Sequence, residues 1–464
     1  MTGPGSEQHP VRVAIVGAGP AGFYAAAALL KAQPVIEVDM YDRLPTPFGL
    51  VRAGVAPDHQ KDKSVTRAYD RSARHPRFRF CGNVAYGPDL GLSDLRRFYH
   101  QVIFATGTQS DRPLGIPGEE LEGSHAATDF VAWYNGHPDY VDRTFDLSCT
   151  HVAVIGIGNV ALDVARILCR DLATLGRTDI ADHALEALRA SRVRQVSVLG
   201  RRGPAQAAFT PPELDELGEL EDTDIVVRPE EALLDSASRE SLAVHPDRDA
   251  VKIVERIEAF ARRPARGASR QLALRFLLTP LAILGDAAGR VTGLRLARNT
   301  LFLGPDGHVQ ARPSGGEETL PVGLVFRSVG YRGLGLPDLP FDERAGVIPN
   351  EHGRIVDTAG QHLSGLYVSG WIKRGPRGVI GTNKVDARET VTAMLEDLAA
   401  DRHLEPSRPS AAAAEAFVAS LGPRAFSYGE WSKIDAEETR RGREAERPRV
   451  KFTRLDEFLD VVEP

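Results

Sequence analysis

The chain has 464 residues, enough for two or three domains with ample buried core, and its apolar and charged fractions, 42% and 26%, are those of a soluble globular protein. Its 57 basic and 63 acidic side chains give a net charge of -6, which gives no reason to expect nucleic acid and requires any basic docking face to be local. No apolar run approaches the 18 or so residues of a membrane helix, and the opening MTGPGSEQHP lacks the basic and apolar regions of a leader, so the expected compartment is the cytoplasm.

The segment VRVAIVGAGPAGFYAAAALL sets a β-branched run, Val11–Val16, before Gly17, Gly19 and Gly22, and follows them with an alanine-rich helical run. This is the strand, glycine turn and helix of a dinucleotide site. Gly17 makes the tight turn, Gly19 lets the backbone approach a pyrophosphate, and Gly22 lets the helix pack on the strand. The phosphates would lie at the helix N-terminus, where free N–H groups and about half a positive charge favour an anion. Asp42, at the end of the next strand (35–41), stands about 20 residues after Gly22, where the fingerprint places an acid.

Residues 44–63, rich in Pro and Gly, read as a long functional loop that carries His59. Residues 64–74 read as a helix and 77–80 as a strand, with Arg67, Arg71, Arg74, Arg77 and Arg79 forming a local basic cluster. QVIFATG (101–107) is a buried strand, and 108–117 a connection. HVAVIG (151–156) then opens a second strand, turn and helix with Gly156, Gly158 and Ala161, where alanine still permits close helix packing. Two such turns in one chain imply two bound dinucleotides.

Residues 178–189 read as an amphipathic helix that delays the next strand (193–199), so no acid falls at the usual ribose distance. That strand ends instead in Gly200, Arg201 and Arg202, and a pair of guanidinium groups there suits the 2′-phosphate of NADP. Residues 221–316 alternate strand-like runs (272–278, 291–297) with polar turns. The segment FRSVGYR before 333 mirrors FATGTQSDR, as if the chain left the first domain near Arg112 and returned near Gly330. LYVSGW (366–371) reads as a further buried strand of the first domain, followed by a glycine-rich loop and a helix with Val391, Met394, Leu395 and Leu398 on one face. Residues 406–414 read as a linker, and the tail, with Trp431 and the run 450–462, as small packed elements. Cys81, Cys149 and Cys169 are odd in number, far apart and form no CxxC, which argues against a disulfide framework, a structural zinc, an iron-sulfur cluster or a dithiol redox centre.

GAGPAG, LPTPFGLVRAGVAPDH, GIGNVALDVARIL, GRRGPAQAAFT and GWIKRGPRGVIGTNK, with SYGEWSKIDAEETRRG in the tail, together resemble the adrenodoxin-reductase-type ferredoxin-NADP reductases over nearly the whole chain. The resemblance implies a glutathione-reductase-like α/β fold of two Rossmann-like domains, the NADP domain (113–329) inserted into the FAD domain (1–112 and 330–464). Carried over by position, Gly17, Ala18, Gly19, Ala21, Gly22, Asp42, Leu50 and Val84 should line FAD, and Trp371, Gly378, Val379 and Ile380 its isoalloxazine ring. The helix after Gly381 would point its positive end at the ring's pyrimidine edge and favour the reduced flavin. Gly158, Asn159, Val160, Arg201, Arg202 and Glu213 should hold NADP, with Arg112 near the crossing strand, and His59 and Glu213 match catalytic positions beside flavin and nicotinamide. Two positions depart from the family pattern: Asp42 stands for a usual Glu, and Ile157 for a usual polar residue.

The implied activity passes a hydride from NADPH to FAD and single electrons onward to a ferredoxin, with no metal and no nucleophile required. Arg67, Arg71, Arg74 and Arg77, with Lys373 and Arg374 beside the flavin, are the candidate docking face for an acidic ferredoxin. The competing readings are an NADPH-dependent flavin monooxygenase, which shares the two fingerprints, and a catalytically silent FAD- and NADP-binding protein.

Overall fold

The computed structural model describes residues 4–463. Val11–Val16 is buried along its whole length because it is paired on both sides, with Ile36–Tyr41 (Val11 opposite Ile36) and with Gln101–Phe104 (Val13 opposite Gln101), both parallel. A parallel strand covered on both faces needs a continuous apolar run, and VRVAIV supplies one apart from Arg12, whose guanidinium is paired with Glu37 and Asp39. The full first sheet has seven strands in the order Asn350–Glu351, Arg354–Val356, His362–Val368, Gln101–Phe104, Val11–Val16, Ile36–Tyr41, Phe78–Cys81. Helices Pro20–Leu29 and Thr382–Ala399 pack together beside it.

A second, all-parallel sheet orders Ser124–Ala126, Leu324–Arg327, His151–Ile155, Gln195–Leu199, Arg270–Arg275 and Thr223–Val227. Its strands lie in sequence between two strands of the first sheet, so the second unit is inserted into the first. The chain crosses out at Ser110–Asp111 and back at Tyr331–Arg332, and these two short strands pair antiparallel, with the Arg112 N–H donating to Gly330 O at 3.0 Å. A three-stranded antiparallel sheet, Leu278–Gly285, Val291–Leu303 and Val309–Pro321, extends the second unit. No helix among the described residues is long and apolar enough to cross a membrane.

Several local expectations need correction. The 44–63 segment is not all loop: it contains one-turn helices Leu50–Ala53 and Gln60–Lys63. Helices Ser236–Val244 and Arg248–Arg262 occupy the stretch that reads as strands and turns. The second is amphipathic, burying Ala250, Ile253, Val254, Ile257 and Phe260, and the Asp247 carboxylate caps it by accepting from the N–H groups of Asp249 and Ala250. The 178–189 helix begins only at Asp182. The strand expected over 366–371 ends at Val368, and Trp371 begins a one-turn helix, Trp371–Arg374. The 406–414 linker runs into helix Ala411–Ala419, and the tail forms a 17-residue helix, Tyr428–Glu444, that starts with a Ser427/Glu430 capping box and buries Trp431 and Ile434.

Candidate active site

The first glycine turn is closed by its neighbours. At Gly17 φ is +111°, and a Cβ there would lie 2.4 Å from Ala105 O; a Cβ on Gly22 would lie 2.2 Å from Gly17 O. Both positions therefore demand glycine. Gly19 faces open space, and no side chain caps the helix it opens, so that helix's first N–H groups are free for an anion. The Ala18 N–H donates to Asp42 Oδ2 at 2.7 Å and the Leu44 N–H to Oδ1 at 2.9 Å. Burial raises the Asp42 pKa against these bonds. Phe48, at φ +84°, wraps the turn by donating its N–H to Ala18 O at 2.8 Å, and Gly49 rests on Gly19. A phenylalanine held at positive φ is strained, and here the strain is held by packing of its ring on Phe23, Tyr69 and Trp431.

Leu50 is half exposed at the start of its short helix, Ala21 is buried in the first helix, and Val84 is buried, its N–H bonded to Asp42 O. At the same C-terminal edge of the sheet, Trp371 leaves its Nε1 buried with no partner, as does the Thr108 hydroxyl after strand Gln101–Phe104. Gly378 (φ +81°), Val379 and Ile380 form the loop that leads through Gly381 into helix Thr382–Ala399. Open glycine backbone, uncapped helix N–H groups and orphaned buried donors fit a dinucleotide with a ring system.

The second turn repeats the design with a different finish. Gly156 has φ +136° and a Cβ there would lie 2.0 Å from Ser328 O; Gly158 is open, its helix likewise uncapped; Ala161 is fully buried. Ile157 covers Gly200, which has room for no Cβ beside it. Asn159 Oδ1 accepts from the Thr210 N–H at 2.8 Å and so fixes the start of helix Pro211–Gly218, while Val160 lies half-buried next to it. Arg201 is exposed and Arg202 half-buried, and neither has a carboxylate within ion-pair distance among the described residues. Burial, with Arg201 alongside, lowers the Arg202 pKa. Two adjacent cations without a counter-charge are suited to a phosphate.

Between the turns the two units meet in a charged seam. Arg166, fully buried on helix Asn159–Cys169, holds Asp58 of the first unit with Nε at 2.9 Å and Nη2 at 3.1 Å, and Asp163 on its own helix at 2.7 Å. Arg166 and Arg170 outweigh burial and hold the Asp58 pKa down at about 2. His59, 9% exposed, has its Nε2 at 2.7 Å from both Glu216 Oε2 and Arg166 Nη2. One ring nitrogen serves only one of these: protonated it donates to Glu216, bare it accepts from Arg166. Burial and the neighbouring Arg166 push the His59 pKa down, but the Glu216 bond and the carboxylates of Asp163 and Glu213 push harder, so it is raised. Glu213 stands 3.7 Å from His59 and 3.3 Å from Arg166, and burial, with Asp163 nearby, raises its pKa to about 7. Ligand atoms of His59, Glu213 and Glu216 lie within 4.8 Å of one another, a spacing a metal could use, but the Arg166 guanidinium is the cation among them.

The sequence reading picks out His59 and Glu213 and misses Arg166, Asp58, Asp163 and Glu216, the last being the closest carboxylate to His59. Arg112 is exposed and makes only its backbone bond. The proposed docking face also needs correction. Arg67, Arg71 and Arg74 are exposed, but Lys373 is buried and bound to Glu389 at 2.6 Å and Asp386 at 3.2 Å, so it presents no charge to a partner. Arg374 is half-buried against Asn383, and Arg77 donates to Leu30 O.

A family model described as pyridine nucleotide-disulphide oxidoreductase matches residues 11–202. The chain is 46% identical over 463 residues to the NADPH-ferredoxin reductase FprA of Mycobacterium tuberculosis, covering 98% of this chain and 99% of that one. It is 42% identical to the mitochondrial NADPH:adrenodoxin oxidoreductase of Mus musculus, covering 98% and 92%. Among solved structures, Mycobacterium tuberculosis FprA in complex with NADPH is similar with a TM-score of 0.92 at 44% identity, covering 98% of this chain and all of that one.

Proposed function

The chain belongs to the family of NADPH-ferredoxin and adrenodoxin reductases, and from that membership we infer that it is an FAD-dependent NADPH:ferredoxin oxidoreductase. FAD, when bound, bridges a two-electron donor and a one-electron acceptor, which no side chain of this chain does. We assign residues 1–112 and 330–464 to FAD binding and 113–329 to NADP binding. In the first unit, Gly17, Ala18, Gly19, Ala21 and Gly22 would hold the pyrophosphate and Asp42 the ribose, with Leu50 and Val84 alongside. Trp371, Gly378, Val379 and Ile380 would hold the ring. In the second, Gly158, Asn159 and Val160 would hold the pyrophosphate of NADP and Arg201 and Arg202 its 2′-phosphate, with Arg112 at the crossing strand.

His59 and Glu213 act at the seam where the two sites meet. Arg166 fixes His59 in place through Asp58, and Glu213 can take or release a proton near neutral pH. The observation that carries this reading is the pair of glycine turns, both open at the second glycine, with an unpaired arginine couple at only one of them. We place the reaction in the cytoplasm, a compartment that keeps thiols such as Cys81, Cys149 and Cys169 reduced.

The test is anaerobic reduction of a panel of ferredoxins by NADPH and the purified protein at low and high salt, with ferricyanide as a small control acceptor. Ferredoxin reduction should slow with salt far more than ferricyanide reduction, because docking on an acidic partner is screened within about 10 Å. Failure to reduce any ferredoxin, together with oxygen consumption in step with an oxygenated product when the assay is repeated in air, would favour a monooxygenase instead.

A further inference from the structure

The Gly200–Arg202 turn is braced at every carbonyl by the antiparallel extension of the second unit. Gly200 O accepts from the Leu278 N–H at 2.9 Å, Arg201 O from Asn299 Nδ2 at 2.7 Å, and Arg202 O from the Leu277 N–H at 3.2 Å. Of these three donors only Asn299 is a side chain. It is 6% exposed, its Nδ2 also reaches Thr279 Oγ1 at 2.8 Å, and its Oδ1 is buried without a partner. Asn299 follows an irregularity in the ladder: Ala297 faces Glu317, yet Asn299 faces Pro313, so the partner strand carries two extra residues at this point. Such bulges re-aim a side chain. Here the re-aimed amide points into the back of the arginine turn. Leu277, which supplies another of the three bonds, is itself held at φ +61° and bonded to the Asn299 N–H.

A buried amide with half its hydrogen-bonding capacity unmet is costly, and an apolar residue would close the same sheet at less expense. What the amide gains is a fixed backbone under Arg201 and Arg202. With the turn ordered in advance, the two guanidinium groups lose less freedom when they take hold of an anion. We propose that Asn299 is a positioning residue for the choice of NADPH over NADH, acting through the backbone of Arg201 without touching the cofactor. This rests on Arg201 and Arg202 being the 2′-phosphate site.

The experiment measures, on the FAD-loaded full chain, the affinity for 2′,5′-ADP and for 5′-AMP, which lacks the 2′-phosphate, together with steady-state NADPH and NADH kinetics. The variants are Asn299→Ala and the similar-sized Asn299→Leu, with Arg201→Ala/Arg202→Ala as a control. In whichever Asn299 variant folds, 2′,5′-ADP should bind about fivefold to tenfold more weakly, the scale of one hydrogen bond. 5′-AMP affinity and NADH kinetics should hold, and kcat/KM for NADPH should fall by the same factor. Unchanged 2′,5′-ADP affinity, or equal losses for both nucleotides, would overturn the proposal and leave Asn299 a merely structural residue. If the control itself keeps its 2′,5′-ADP affinity, the phosphate site is misassigned; if it loses that affinity while the Asn299 variants keep theirs, only the role of Asn299 falls.

Discussion

At the end of the second strand of the first unit, the Asp42 carboxylate folds back on its own glycine turn and accepts from the Ala18 and Leu44 N–H groups. At the same place in the second unit, Gly200 to Arg202 turn their carbonyls into a supporting sheet and leave two cationic side chains without carboxylate partners. The two turns are alike in role: a positive-φ glycine jammed against a carbonyl, then an open glycine, then a tightly packed small residue, Gly22 in the first and Ala161 in the second. The first turn is sealed by Phe48, whose N–H donates to Ala18 O, and the second in the same way by Ala208, whose N–H donates to Ile157 O at 2.7 Å, with the Ile157 side chain leaning across Gly200. The comparison teaches that the glycine fingerprint says a dinucleotide is held, while the strand end and whatever braces it decide which one.

The most drastic way to break the comparison is to fill one turn at a time. Gly17→Ala and Gly156→Ala would each place a Cβ inside van der Waals contact with a carbonyl oxygen, at 2.4 and 2.0 Å, on a backbone that disfavours any side chain. Gly156→Ala should yield yellow protein that no longer binds 2′,5′-ADP, and Gly17→Ala colourless protein that refuses added FAD, as read by absorbance per chain and calorimetry. Loss of both cofactors in both variants would mean that the two turns do not work independently.

A smaller change removes only the finish of the second turn. A charge-assisted hydrogen bond is worth about 1.5 to 3 kcal/mol, so Arg201→Ala with Arg202→Ala should lower NADPH kcat/KM by about 10² after allowance for exposure. NADH use should hardly change; equal loss of both would make the pair structural.

The smallest effect lies at the seam, where Asn159 ties the second turn to the helix carrying Glu213. Glu213 titrates at about 7 in the folded chain against 4.5 ordinarily, so the folded state binds its proton more tightly. That contribution to stability is complete below 4.5 and is lost as pH rises through 7. The thermal midpoint of the native chain should therefore fall relative to Glu213→Gln between pH 5 and 8. Parallel midpoint curves would show that Glu213 is an ordinary carboxylate.

Much of the fold is legible in the sequence because its strongest signals are local: β-branched runs, glycines at fixed offsets, and mirrored segments where the chain crosses between units. Helix Arg248–Arg262 is missed, because the strand-like runs that follow it outweigh its two local signals, the Asp247 cap and the apolar positions Ala250, Ile253, Val254 and Ile257 at i, i+3, i+4 and i+7. The seam is less legible. Arg166 lies in the run ALDVARIL like any helix arginine, and its burial follows from Asp58, which is 108 residues away. Glu213 and Glu216 are one helical turn apart and share a face, so spacing alone cannot choose between them. Lys373 reads as exposed beside a glycine loop, but Asp386 and Glu389 on a later helix draw it inward.

The most direct test of the whole arrangement is anaerobic stopped-flow mixing of the FAD-loaded protein with NADPH, and with NADPH carrying deuterium at the transferred C4 position. Two sites that meet at the His59–Arg166 seam predict that one equivalent of NADPH bleaches the flavin absorbance and that deuterium slows the bleaching. A protein that binds NADPH yet keeps its flavin oxidised would contradict the account.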